Sequence, residues 1–147
     1  MIADLTGSWV AAFDCEPTCI RFMERNFQLN PALAGLLRPV EAEVGDGPEQ
    51  TSLDDYAYSE FGFVPDFIKI DVDGGELGAL RSASRILAER RPALIVDTHS
   101  AELERACGQL LSEYGYKPGR REPASVPARA SPDRAQPLAG RHTWPGS

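Results

Sequence analysis

Asp71 and Asp73 close an apolar run and are followed at once by Gly74-Gly75. A carboxylate so placed can bond an amine, align a hydroxyl or take its proton. His99 stands two residues after Asp97, at the end of a second apolar run. An imidazole is the side chain whose ordinary titration lies nearest neutral pH, which suits a general base. Glu16 follows a third run, Trp9 to Asp14. In nucleotide-binding α/β proteins an acid there accepts hydrogen bonds from both ribose hydroxyls. Asp46 lies between Gly45 and Gly47 after a fourth candidate strand. Bland roles compete with each of these. Glu16 can serve the helix that starts at Pro17, Asp46 can form a turn, and His99 can be an ordinary surface residue.

These side chains share a rim only if the runs before them are parallel strands. Residues 67–72 have the length and β-branched content of a strand buried on both faces. Gly74 and Gly75 then permit a tight turn into a helix at φ values other residues avoid. Leu77, Leu80, Ala83 and Leu87 recur at helical spacing, and the helix is expected to end near Arg90-Arg91. Residues 9–14 and 93–97 read as strands, and 40–44 as a strand with one solvated face. Pro17 to Asn30 reads as a helix with Ile20, Met23 and Phe27 on one face, stopped by Asn30-Pro31. Residues 53–61 read as a short helix or turn. Ser100 caps a last helix with Leu103, Cys107, Leu110 and Tyr114 on its face, ending at Gly115. Strands alternating with helices predict an α/β domain with a mostly parallel sheet. Its strand ends border the ligand crevice.

Four segments in the right order resemble the FkbM-family methyltransferases. Ile68-Lys69-Ile70-Asp71-Val72-Asp73-Gly74-Gly75-Glu76 is similar to that family's Ile-Lys-Ile-Asp-Val-Glu-Gly-Ala-Glu signature. Phe13-Asp14-Cys15-Glu16-Pro17 resembles its second strand, which closes in Glu-Pro. Thr51-Ser52-Leu53-Asp54-Asp55 resembles its Thr-Leu-Asp-Asp segment. The stretch from Arg91-Pro92 to Asp97-Thr98-His99 resembles its Arg-Pro-strand-Glu-x-His segment. The chain departs in detail, with Asp73 and Asp97 where the family has Glu, and Gly75 where it has Ala.

The resemblance implies a partial Rossmann-like methyltransferase fold over residues 1–117, with S-adenosylmethionine as cofactor. Glu16 would hold the cofactor's ribose, with Asp14 the alternative if the register differs. Asp46 would contact adenine. Asp71 would bond the cofactor's amino group or orient the acceptor hydroxyl, and His99 would be the base. Glu76 would stabilise its helix start, and Lys69 would point to solvent or pair with an acid. A cation held by Asp71, Asp73, Asp97 and His99 is an alternative to metal-free chemistry. The family's first strand and glycine-rich cofactor loop have no counterpart before Glu16. That strand belongs in the middle of the sheet, between the strands carrying Glu16 and Asp71. An incomplete start and a lost loop both account for this. The implied function is O-methylation of a small molecule or sugar hydroxyl. The alternative is a non-catalytic remnant of the fold that binds a partner.

Composition narrows the setting. The chain has 147 residues, room for one domain, and 42% of them are hydrophobic. No apolar run approaches the ~20 residues of a membrane span. Neither a secretory signal nor a zinc-type Cys/His pattern is evident, so the three cysteines are expected to be reduced thiols in a cytoplasm. Residues 118–147 hold five arginines against Glu122 and Asp133, a net +3, so residues 1–117 carry −10 and the whole chain −7. An acidic body argues against nucleic acid as a partner.

Residues 118–147 also carry six prolines and little apolar periodicity, and read as a disordered tail. Deleting residues 121–147 is expected to leave the cooperative thermal melt unchanged. A melt that disappears on truncation would show that the tail packs on the body.

Overall fold

The computed structural model describes residues 8–33, 35–117 and 119. The proline-rich tail lies outside them apart from Gly119. Two parallel strand pairs and their helices make a partial Rossmann-like α/β fold. β1 (Val10–Asp14) pairs with β2 (Leu37–Glu41), from Val10 opposite Leu37 to Asp14 opposite Glu41. α1 (Pro17–Gln28) joins them and packs on both, with Ile20 buried and Met23 and Phe27 half-buried. Asn30 Nδ2 donates to the Asn26 carbonyl and closes the helix before Pro31.

β2 begins and ends three residues earlier than the alternation at 40–44 predicts. Pro39 sits inside it, opposite Ala12. A proline is tolerated there because an edge strand leaves half of its amides unpaired. The acids at 41 and 43 mark the strand's end and the following loop. Val44 makes only an isolated bridge to Thr51. Gln50 ties that loop together, donating to Glu43 Oε1 and accepting from the Gly47 amide.

β3 (Phe67–Ile70) pairs with β4 (Ala93–Val96), from Phe67 opposite Ala93 to Ile70 opposite Val96. The expectation of burial on both faces is corrected here. Phe67, Lys69, Ala93 and Ile95 share one face and are exposed. Ile68, Ile70, Leu94 and Val96 face the helices. The core gathers on that side from Ala57, Ile70, Ala79, Leu80, Ala83, Ile86, Leu87, Cys107 and Leu111. The apolar run of β3 therefore signals a strand without telling how many of its faces are covered.

α2 (Leu53–Asp55) runs into a π-helical turn, Tyr56–Phe61, which Gly62 ends at φ 72°. The helix expected from Gly75 to Arg90 is two helices, α3 (Glu76–Arg81) and α4 (Ser84–Glu89). The break at Ser82 and Ala83 has a tertiary cause. The Ser82 carbonyl accepts from the Asp54 amide and Ser52 Oγ, and Ser82 Oγ accepts from the Leu53 amide. The Asp54 carboxylate then caps α4, accepting from the Arg85 amide at 2.7 Å and the Ile86 amide at 2.9 Å. The Thr51–Asp55 motif is thus a clamp on the α3–α4 joint. α5 (Ala101–Glu113) completes the core side, with Ser100 Oγ accepting from the Leu103 amide. Arg91, at φ 51°, sends its guanidinium to the Gly115 carbonyl, and Tyr116 donates to the Pro92 carbonyl.

β1 and β3 are not hydrogen-bonded to each other, and the two pairs form separate sheets among the described residues. The family resemblance expects a further strand between them. Aromatic contacts span the gap instead. Phe13 meets Tyr56 edge-on at 4.8 Å, and Trp9 stacks on Phe63 at 5.9 Å.

A side-chain cap contributes about 1 kcal/mol, up to about 2. Asp54→Ala is expected to lower unfolding stability by that amount in urea denaturation, and Asp54→Asn by less. An unchanged midpoint for Asp54→Ala would show that the joint holds without its clamp.

Candidate active site

The ends of β3 and β4 bring four titratable side chains together. Asp71 follows β3 directly, and the Asp97 amide extends the ladder by donating to the Ile70 carbonyl. Gly74 turns the chain at φ 83°, where a Cβ would be strained. Gly75 has an ordinary φ of −92°, and a Cβ there would make only van der Waals contact with Val72. The expectation that both glycines need unusual φ therefore holds for Gly74 alone. The short turn drops Glu76 into the interior at the start of α3. His99 leaves β4 one residue before the cap of α5 and points back at that carboxylate.

The contacts are close. His99 Nδ1 lies 2.6 Å from Glu76 Oε1. Its Nε2 lies 3.1 Å from Asp73 Oδ1 and 3.9 Å from Asp71 Oδ1. Lys69 pairs with Asp71 on the other side. Glu76 is 0% exposed, the His99 side chain 42% and that of Asp73 96%. The cluster therefore grades from dry to wet across one imidazole ring. Among the described residues, no group of His, Cys, Asp and Glu side chains is arranged to hold a metal ion.

Each ionisation has a physical cause. The hydrogen bond to Glu76 lifts His99 above the usual imidazole value, and the charges of Asp73, Glu76 and Asp71 add to this against partial desolvation. Burial alone would raise Glu76. The His99 hydrogen bond, the amides of Glu76 and His99, and the imidazolium charge outweigh it, and the carboxyl is held below its ordinary value. The Lys69 hydrogen bond and charge hold Asp71 low. Asp71 is thus a firm carboxylate and His99 the stronger base.

Glu76 is the residue that sequence reasoning undervalued. An acid in a first helical turn reads as a dipole partner on the surface. The corrective signal was present in the spacing. Glu76, Leu80, Ala83 and Leu87 follow one another at i, i+4, i+7 and i+11, so Glu76 shares the buried face. Lys69 pairs with an acid, one of its two expected roles. Glu16 is exposed and makes no side-chain cap on α1; Asp14 Oδ1 accepts from the Glu16 amide instead. Asp46 lies beside α3, where a Cβ on Gly78 would come within 3.2 Å of its Oδ1, and it faces Arg81 at 3.8 Å. Two surface depressions, about 330 Å³ on the outer side of α1 and about 250 Å³ beside β4 and Tyr116, include none of the rim acids.

The coupled shifts predict a pH window for stability. A histidine raised on folding stabilises fully below its ordinary 6.5 and loses that contribution as pH rises through the folded value. A carboxyl lowered on folding stabilises above its ordinary 4.5 and loses that contribution as pH falls through the folded value. The pair should therefore help most between 4.5 and 6.5. Melting temperatures across pH should show His99→Gln losing the fall on the alkaline side. An alkaline limb identical to that of the wild type would show that His99 is not the group responsible.

A family model for the methyltransferase FkbM domain matches residues 18–118. The match covers the strand end with Asp71, the turn with Glu76 and the segment ending in His99, and it begins just after Glu16. No curated protein and no solved structure matches the chain. The parallel βαβ order, the acids at the strand ends and a family match over most of the length agree, and the chain belongs to the FkbM methyltransferase family.

Proposed function

We propose that the protein is an S-adenosylmethionine-dependent O-methyltransferase acting on a hydroxyl of a small molecule or sugar. The observation that carries the reading is the His99 imidazole, raised in basicity and turned toward the rim beside a firmly ionised Asp71. An alkyl hydroxyl has to be aligned and to lose its proton as its oxygen gains a methyl group. His99 Nε2, on the side of the exposed Asp73, takes that proton. Asp71, kept anionic by Lys69, aligns the hydroxyl or holds the cofactor's ammonium. The exposed carboxylates of Glu16 and Asp46 have the right chemistry for ribose hydroxyls and for the adenine amine. In its chemistry the donor set suits the cofactor. When bound, the cofactor supplies the electrophilic methyl group, whose bond to sulfur breaks as the new carbon–oxygen bond forms.

Three unpaired cysteines fit a reducing compartment, which supports a cytoplasmic setting. The acidic body supports a small neutral or glycan acceptor over nucleic acid, and no described helix is long and apolar enough to cross a membrane. The exposed rim favours the second reading, a fold that binds a partner without turnover.

The test pairs binding with chemistry. Calorimetry with S-adenosylmethionine is expected to detect at most weak binding, which Glu16→Ala abolishes; undiminished binding in that variant would remove Glu16 from the ribose site. Methyl transfer to a panel of hydroxylated acceptors is expected to fall about a hundredfold or more in Asp71→Asn, the scale of a lost acid–base or charged group. The rate should rise with pH as His99 loses its proton. Near-normal turnover in Asp71→Asn would show that this strand end marks a fold and not a catalytic site. Cofactor binding with no transfer to any acceptor would favour the non-catalytic reading.

A further inference from the structure

The best-buried charged group in the described structure has no part in the methyl transfer as proposed above. Glu76 is 0% exposed, and its Oε2 is buried with no hydrogen-bond partner. A carboxylate taken out of water is costly unless something compensates it. Its one close side-chain partner is His99, at 2.6 Å from Oε1 to Nδ1. An ionised carboxylate can only accept, so the ring must donate from Nδ1. Of the two carboxylates at the ring, the buried one bonds Nδ1 at the shorter distance, which favours Nδ1 as the proton-bearing nitrogen of the neutral ring. Nε2 is left with a lone pair on the wet side, next to Asp73 and Asp71.

We propose that Glu76 is a positioning residue that holds His99 as the Nδ1–H tautomer, so that Nε2 is the proton-accepting atom of the transfer reaction. This rests on the methyltransferase reading for its purpose and on the geometry alone for its existence. The arrangement follows a general rule: a base is oriented by a third group bonded to its other nitrogen. Its precision comes from the dry end. Glu76 is anchored by the first turn of α3, beneath the fixed turn at Gly74, and it cannot swing out to water.

The other acids facing the ring raise its basicity as Glu76 does, but from the Nε2 side. Asp71 and Asp73 come from the β3–α3 turn, and Lys69 reaches the ring only through Asp71. From α5, Cys107 faces Glu76, its thiol raised by burial first and by the Glu76 charge second. It therefore stays neutral and does not compete for the imidazole. Asp73 is 96% exposed and bonds Nε2 only when that nitrogen carries a proton, so it restrains the ring without blocking it.

The experiment is nitrogen NMR of the full chain across pH. His142 is the only other histidine, and His142→Gln assigns the signals. The neutral His99 ring of the wild type is expected to show the Nδ1–H tautomer. An Nε2–H pattern in the wild type overturns the proposal without any further variant. Glu76→Gln keeps the shape and removes the charge. It should lower the His99 titration midpoint and populate the Nε2–H form, whereas an unchanged midpoint and tautomer overturn the proposal. With an acceptor in hand, kcat should fall at least tenfold while KM for S-adenosylmethionine changes little, and the acidic limb of the rate profile should move with the NMR midpoint. A normal tautomer result in a protein that transfers no methyl group would sink the methyltransferase reading and leave the pairing intact.

Discussion

A carboxylate sealed from water needs a partner within the protein, and that requirement organises this site. Glu76 is placed inside by the register of α3, whose buried face it shares with Ala79 and Leu80. The imidazole of His99 meets it from the end of β4. The pair therefore joins the helix after β3 to the loop after β4 at the very level where parallel strands end. Removing His99 would leave the Glu76 charge uncompensated in the interior, a far larger cost than losing a surface ion pair. The contact thus serves packing and chemistry together. It holds two crossovers in place and presents one nitrogen outward.

The electrostatics of the rim follow from that gradient. Asp71 is fixed as an anion by Lys69 on its own strand, two residues back on the same face. His99 gains basicity from Glu76 below and from Asp73 and Asp71 above. Two groups a few ångströms apart are driven toward opposite tasks, one a permanent charge and the other a proton acceptor. Such separation of neighbouring ionisations is how one site can both align and deprotonate a hydroxyl.

The rest of the molecule is unevenly supported. The core lies almost wholly on one side of β3 and β4, under α3, α4 and α5. β1, α1 and β2 contribute only Ile20 as a buried hydrophobic residue. Their link to the core side runs through the Phe13–Tyr56 and Trp9–Phe63 contacts. The joint between α3 and α4 is set by a segment some thirty residues upstream in the sequence, through Asp54 and Ser52. The best-packed part of the structure is therefore the part that carries the Glu76–His99 pair, while Glu16 sits on the lighter frame.

Local chemistry sufficed for much of this. Apolar runs ending in acids, Pro17 at a helix start, Gly74 at a left-handed turn and Ser100 at a cap are each decided within a few residues. They were legible as an α/β alternation with an acidic strand-end rim. The identity of Asp71 and His99 as rim residues was legible for the same reason. What sequence could not decide depended on groups far apart in the chain. The split of one helix into two needs the Asp54 segment docked on Ser82. The early start of β2 needs the register against β1, and the open face of β3 and β4 needs knowledge of what covers them. The role of Glu76 was half legible, since its spacing put it on the buried face. Only the fold could bring an imidazole from the end of β4 to meet it. A buried charge is stable by virtue of its partner, and partners are chosen in three dimensions.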